Sequence, residues 1–267
     1  MSHVFATGPV HLDEDGDDLR REIGKALGRM LGTPIEVRAE PSYARLRERL
    51  LGREVALAWM PPALFVHAHD AGAVASALAT ARSAGGRYQG ALFVREDSAV
   101  REVEDLRGEA VAWVDLESCG GYLFPRMALR ERGLDPDRDL RSGGLLESHA
   151  RVVHAVASGV CAAGATFVEL EDPSSPTSPL ALAGWAPFVD PRSMRAVLVS
   201  ASIPSDTVCV GTAVEASSRA AWVEALVRFH EEPGGALLLR SLLSADRLVP
   251  ANPADYAPVR KAIEAER

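Results

Sequence analysis

The chain has 267 residues, 47% of them hydrophobic and 25% charged, the make-up of a soluble globular protein with room for one large domain or two smaller lobes. A formal charge of −8 excludes an extended nucleic-acid surface, which needs Lys and Arg to neutralise phosphates. A small anion stays open, because a few local N–H and hydroxyl donors can hold one.

Residues 1–20 carry Asp13, Glu14, Asp15, Asp17 and Asp18 and no apolar run, which is not the pattern of a secretory leader. As it stands the chain is expected to be cytoplasmic, and periplasmic where a leader has been removed. Leu19, Ile23, Ala26, Leu27 and Met30 recur at helical spacing and predict a helix over Asp17–Leu31. Pro34–Ala39 predicts a strand, and Ser42–Leu51 a helix with Ser42 as N-cap. Val55–Trp59 predicts a short buried strand. Pro61 and Pro62 end it and interrupt Val55–Val66, so no segment reaches the roughly 18 apolar residues that cross a bilayer, and no membrane insertion is expected. Ala63–Ala71 predicts a helix, Ala91–Arg95 a strand, Val103–Leu106 a helical turn closed by Gly108, and Ala110–Asp115 another strand. A glycine-bearing loop leads into a helix over Tyr122–Arg132. Ala150–Ala157 predicts a helix that starts at Ser148 or His149 and is followed by Gly159. Ala163–Val168 predicts a strand, Glu171–Pro179 a surface loop, and Val197–Val199 a strand. Ala213–Glu231 predicts a long amphipathic helix and Pro233–Arg247 a further helical region. This alternation suggests an α/β protein with largely parallel sheets. Cys119, Cys161 and Cys209 are widely spaced and odd in number, fitting neither a disulfide framework nor a zinc set. No metal and no cofactor are expected.

The chemistry concentrates after the strand at Ala110, where the chain reads V-D-L-E-S-C-G-G-Y-L-F-P-R over Val114–Arg126. A strand that runs through a glycine loop into a helix aims the free N–H groups of the helix start at the loop, and the macrodipole favours negative charge there. Gly120 and Gly121 permit close approach of an oxyanion to the backbone, and Ser118 adds a hydroxyl. The same serine also suits a plain helix N-cap.

Val111–Arg126 resembles the signature of the substrate-binding proteins of phosphonate, phosphite and phosphate ABC importers (PhnD-like, class II periplasmic binding proteins), whose loop usually reads D-P-x-S-T-S-G-Y. Further segments match in order. They are Tyr43-Ala44-Arg45-Leu46, Leu57–Pro62 (L-A-W-x-G-P), Arg87–Ala91, Val94–Ser98 (V-R-x-D-S), Leu106-Arg107-Gly108, Glu147-Ser148-His149 (G-S-H), Ser158-Gly159, Ala163–Thr166 and Ile203–Asp206 (I-P-x-D). The resemblance implies two α/β lobes, each a mixed sheet flanked by helices, with a ligand cleft between them. One lobe would comprise residues 1–92 with 198–267 and the other 93–197, the chain crossing near Ala91–Glu96 and Ala196–Ser200.

It also implies the ligand set Tyr43, Tyr88, Ser118, Cys119, Gly120, Gly121, His149, Glu169 and Asp206. Ser118 and His149 would donate to the anion, and Tyr43 and Tyr88 would line the cleft. Glu169 and Asp206 stand where aminophosphonate binders hold an ammonium group, so they bear on which anion is chosen. Cys119 and Gly120 replace the family's Thr and Ser, which removes two hydroxyl donors. The implied function is capture of a small phosphorus oxyanion, without catalysis, by a monomer serving an ABC permease or a sensor. Two alternatives stay open: a cofactor-biosynthesis enzyme on the same scaffold using Cys119 or His149, and a cytoplasmic regulatory or interaction module.

Overall fold

Apolar residues recurring at every second position, or at every third to fourth, assign most of the chain to strand or helix. The structure, a computed structural model, describes residues 2–8, 16–82, 87–172, 175 and 178–266. Asp13, Glu14 and Asp15, and positions 173, 174, 176 and 177 of the expected loop, lie outside the described residues. In chain order the elements are β1 (His3–Thr7), α1 (Gly16–Leu31), β2 (Ile35–Ala39), α2 (Tyr43–Leu51), β3 (Leu57–Met60), α3 (Pro62–Asp70), β4 (Val74–Ala81), β5 (Tyr88–Arg95), β6 (Ala110–Trp113) and α4 (Phe124–Glu131). They continue as β7 (Arg141–Leu145), α5 (His149–Ala157), β8 (Ala163–Leu170), β9 (Leu180–Ala183), β10 (Met194–Ile203), β11 (Thr207–Gly211), α6 (Ala216–Arg228), α7 (Gly235–Leu243), β12 (Arg247–Pro250) and α8 (Ala257–Glu264).

The chain divides into two compact units, residues 1–86 with 205–257 and residues 87–204 with 258–267. Residues 87–92, 198–204 and 258–267, assigned from sequence to the first lobe, therefore group with the second unit. The first unit is built on a six-stranded sheet of order β12-β4-β11-β3-β1-β2. β1 runs parallel to β2 and β3, while β11 is antiparallel to β3 and β4. Phe5, Ile23, Leu27, Leu57, Trp222 and Leu239 belong to its core.

The second unit is built on a sheet of order β10-β5-β8-β6-β7, with β9 added to β8. β6 is parallel to β7 and β8, whereas β5 is antiparallel to both β8 and β10. The sheets are therefore mixed, not largely parallel. Strand alternation gives this sheet two buried faces. Leu92, Val94, Val111 and Trp113 pack with Ala128 and Leu129 of α4, and Ala91, Phe93, Ala112 and Val114 pack with Val152 and Val156 of α5.

Several expected boundaries move, and the strands expected over Ala91–Arg95 and Val197–Val199 are the longer β5 and β10. The helix expected over Ala213–Glu231 is α6 followed by a 3₁₀ turn at Phe229–Glu231, and that expected over Pro233–Arg247 is the shorter α7, since Arg247 already belongs to β12. The segment taken as a loop before Tyr122 is already helical: Cys119–Leu123 form one π-turn leading directly into α4.

Candidate functional site

In an open α/β sheet the C-terminal ends of parallel strands gather loops and helix starts, and ligands bind there. Each unit has such an edge. In the second unit, β6 runs out at Trp113 and the chain turns through Asp115, whose carbonyl accepts from Ser118 N–H (2.9 Å) and whose Oδ1 accepts from Glu117 N–H (2.8 Å). Ser118 caps the π-turn: its Oγ accepts from Gly121 N–H at 3.0 Å. Leu123 N–H donates to Ser118 O (3.0 Å), and Gly121 O accepts from Val114 N–H (3.1 Å), which ties the helix start to the strand it left. Ser118 is buried, and Cys119 more so at 2% exposed. The Ser118 hydroxyl thus serves as a cap acceptor and keeps its own hydrogen to donate. Gly121 N–H is already used, while Gly120, in the first turn, has no intrahelical acceptor for its N–H.

Gly121 is sterically required, and Gly120 is tightly packed. A Cβ at Gly121 would lie 2.4 Å from Val114 Cγ2 and 2.9 Å from Ser118 Oγ. One at Gly120 would lie 3.0 Å from Phe167 Cβ and 3.4 Å from Tyr88 Cε2. Tyr88 opens β5, and Gly90, two residues on, pairs with Phe167 of β8. The alternation of β8 puts Glu169 on the same sheet face as Phe167.

His149 starts α5, whose N-cap is Ser148. Its Nδ1 is 2.9 Å from Thr166 Oγ1, on a threonine with no exposed surface, and its ring meets Phe167 edge-on at 5.3 Å. Burial pulls the imidazole pKa down to about 4, so the ring is neutral near pH 7 and offers a donor without charge. Glu147, before the cap, has φ 66°, a left-handed conformation that favours glycine. That explains why the G-S-H pattern has glycine there. Ser118, Cys119, Gly120, Gly121, Tyr88, His149 and Glu169 all belong to this unit. Thr166, which lies in one of the matching segments but had no role assigned, and Phe167 join them; Phe167 did not stand out, since an apolar strand residue reads as core.

Tyr43 and Asp206 belong to the first unit. Tyr43 begins α2, capped by Ser42 Oγ accepting from Arg45 N–H (3.1 Å). Its ring and that of Trp59 both lie against Gly8, where a Cβ would meet Tyr43 Cε1 at 2.6 Å and Trp59 Cζ3 at 3.3 Å. Thr7 Oγ1 and Trp59 Nε1 are buried without a hydrogen-bond partner among the described residues. Asp206 precedes β11, whose Thr207 pairs with Met60 at the end of β3, and so shares this sheet edge. Its carbonyl accepts from Thr80 N–H (2.9 Å) and Thr80 Oγ1 (3.2 Å). Tyr256 Oη donates to the neighbouring Ser205 O (2.9 Å).

Burial raises the Asp206 carboxyl from 3.8 to about 6, against the pull of Arg82. The two perturbed groups then act oppositely on stability. A raised carboxyl contributes stability below its unfolded value and loses it as pH rises from 3.8 through about 6. A depressed imidazole contributes above 6.5 and loses that contribution as pH falls through about 4. Between about 4 and 6 the slopes offset each other. Asp206→Asn is expected to give a steeper loss of stability on acidification through that window than the parent shows, and His149→Gln a shallower one. Urea unfolding across the window reads this, and parallel profiles for all three proteins would contradict it.

Among the described residues no helix is long and apolar enough to cross a membrane, and no group of three or more His, Cys, Asp or Glu is placed to hold a metal. A family model described as "ABC transporter, phosphonate, periplasmic substrate-binding protein" matches residues 5–256. A phosphate-import protein PhnD from Mycolicibacterium smegmatis is 28% identical over 177 residues, 60% of this chain and 54% of that protein, so the chain spans about half the length of this curated relative. A binding-protein component of an ABC phosphonate transporter from Pseudomonas aeruginosa superimposes with TM-score 0.78 at 18% identity, over 98% of this chain and 85% of that one. A Prochlorococcus marinus PhnD1 in complex with methylphosphonate gives TM-score 0.78 at 12% identity, over 99% and 98%. At such identities the two structures carry the fold alone: two-lobed, periplasmic-binding-protein-like.

Proposed function

Because the chain belongs to the phosphonate-binding family of periplasmic substrate-binding proteins of ABC transporters, we propose that it captures a small phosphorus oxyanion on the Ser118 helix start and hands it to an ABC permease. The family is one of binding components, not enzymes. The observation that carries the reading is the capped π-turn, with glycine forced at 121 and closely packed at 120, where an anion would approach the backbone. Around it stand neutral donors, the Ser118 hydroxyl, the first-turn N–H groups, the Tyr88 phenol and the His149 ring, and such donors hold an oxyanion without a countercharge. The relatives' ligands, phosphate by name for one and methylphosphonate for another, support the chemical class. Tyr43 and Asp206 are proposed as ligand contacts from the first unit, on the family resemblance. We further propose that the protein acts as a monomer in the periplasm, the compartment that the family's description gives.

Titration calorimetry with methylphosphonate, 2-aminoethylphosphonate, phosphite and phosphate tests the reading. Since Ser118 also caps the helix, alanine there confounds two losses, and aspartate separates them. Asp caps as well as Ser and suits the positive end of the dipole, so Ser118→Asp is expected to unfold within about 1 kcal/mol of the parent. Its fixed negative charge beside the seat is expected to weaken anion binding at least roughly tenfold. Undiminished binding in that variant would place the anion elsewhere.

A further inference from the structure

The loop lacks a side chain at position 120, and strand β8 closes tightly over that position. A side chain there would put its Cβ 3.0 Å from Phe167 Cβ and 3.4 Å from Phe167 Cα. The first distance is tighter than ordinary contacts, and the strand backbone behind it is held by pairing to β5. Gly120 therefore offers no side-chain donor, and Phe167, whose Cβ packs against it, sets a phenyl ring beside the seat. That ring is half-buried and spans the seat's two polar neighbours, edge-on to Tyr88 at 6.3 Å and to His149 at 5.3 Å.

We propose that Phe167 is a specificity-determining residue, an apolar flank that makes the seat prefer an organophosphonate with a small apolar substituent over inorganic phosphate. This rests on the oxyanion reading of the same site. Phosphate presents oxygen at all four corners of its tetrahedron, and each needs a donor or water. An oxygen turned toward Phe167 would find neither, and would meet the negative face of the ring's quadrupole or its apolar edge. A phosphonate turns three oxygens to the helix start, Tyr88 and His149, and its carbon substituent to the ring. Phosphite, with hydrogen at the fourth corner, leaves no oxygen unpaired but fills less of the space. The order of preference is then alkylphosphonate, phosphite, phosphate.

The test is calorimetry with methylphosphonate, ethylphosphonate, phosphite and phosphate on the parent protein, Phe167→Leu and Phe167→Ser, at mildly acidic and mildly alkaline pH. Working at two pH values separates shape from ligand protonation. The parent is expected to bind the alkylphosphonates roughly tenfold or more tighter than phosphate at both. Phe167→Leu, still apolar, is expected to keep most of that ratio. Phe167→Ser, which returns a hydroxyl, is expected to bring it to within about threefold. An even-handed or phosphate-preferring parent, or a ratio unmoved in Phe167→Ser, overturns the proposal while leaving oxyanion capture intact. A folded parent that binds none of the four overturns both, so the two failures are distinguishable. Loss of folding in the serine variant leaves the parent's ratio and the leucine variant to decide.

Discussion

Gly121→Ala is expected to lower stability and anion affinity together, by more than any other single methyl group added to the loop. The added Cβ would lie 2.4 Å from Val114 Cγ2 and 2.7 Å from Val114 Cβ. Val114 is 3% exposed and β-branched, and its N–H is bonded to Gly121 O, so it has little rotamer freedom with which to give way. The helix start must instead lift off β6. That stretches the bond from Gly121 N–H to Ser118 Oγ, the bond that orients the cap. Overpacking of this kind costs about 1–3 kcal/mol and a lost cap about 1 more. For a protein of this size the melting temperature should fall by roughly 5–10 °C. Affinity should fall by more than roughly tenfold, because the donors shift from where the anion sits. Val114→Ala alone opens a cavity and destabilises without touching the cap. Combined with Gly121→Ala it should relieve the clash, so that the double variant binds better than Gly121→Ala alone. Parental affinity in Gly121→Ala, or no recovery in the double variant, would show that the seat does not depend on this contact.

What the sequence made legible was local. Ser42 and Ser148 were readable as helix caps because a small hydroxyl before an apolar-periodic run has one geometric use, and the structure shows each accepting from the third residue on. The glycine pair after the strand was readable as a place of close approach. The strands at β1 (His-Val-Phe-Ala-Thr) and β11 (Thr-Val-Cys-Val-Gly) went unread although they carry a strand's usual residues, whereas two others that escaped notice lack them. β4 is Val-Ala-Ser-Ala-Leu-Ala-Thr-Ala and β7 is Arg-Ser-Gly-Gly-Leu, so pairing partners rather than intrinsic preference decide their conformation. The antiparallel pairing of β5 with β8 and β10 was hidden for another reason: direction is set by connections, not by residue pattern. The π-turn was missed because Gly120 and Gly121 are poor helix formers, and the helix there is held by the Ser118 cap and the bond to Val114. Phe167 lies far from Gly120 in sequence. Only the register that pairs it with Gly90 reveals that Phe167 packs against Gly120.

The other large effect separates scaffold from seat. Arg126→Ala is expected to cost about 3 kcal/mol or somewhat more, in the range for breaking a buried charged pair, with only a small change in anion affinity. Arg126 lies in α4 just after the π-turn, 4% exposed, with its guanidinium over Tyr122 at 4.7 Å and Trp113 at 5.4 Å. Its Nη2 donates to both oxygens of Asp137 (2.7 and 2.6 Å) and its Nε to Glu266 Oε2 (2.8 Å). Burial works against the charge, but Asp137 and Glu266 outweigh it and hold the guanidinium pKa above its ordinary value. Asp137 is in turn held below the usual carboxylate range by its bond to Arg126. Removing the guanidinium leaves Glu266, 13% exposed on its side chain, with Arg130 as its remaining cation. Residues 258–266, which group with this unit, then lose the bond from Arg126 to Glu266. Hydrogen exchange should therefore rise first in α8, with the melting temperature down by roughly 6–12 °C. Arg126→Lys keeps the charge but not the planar fork, and should fall between the two. The seat is organised upstream, by the bonds from Gly121 to Ser118 and from Val114 to Gly121. A fall in affinity of tenfold or more in a still-folded Arg126→Ala would mean instead that the guanidinium's field reaches the anion, making the cluster part of the binding site.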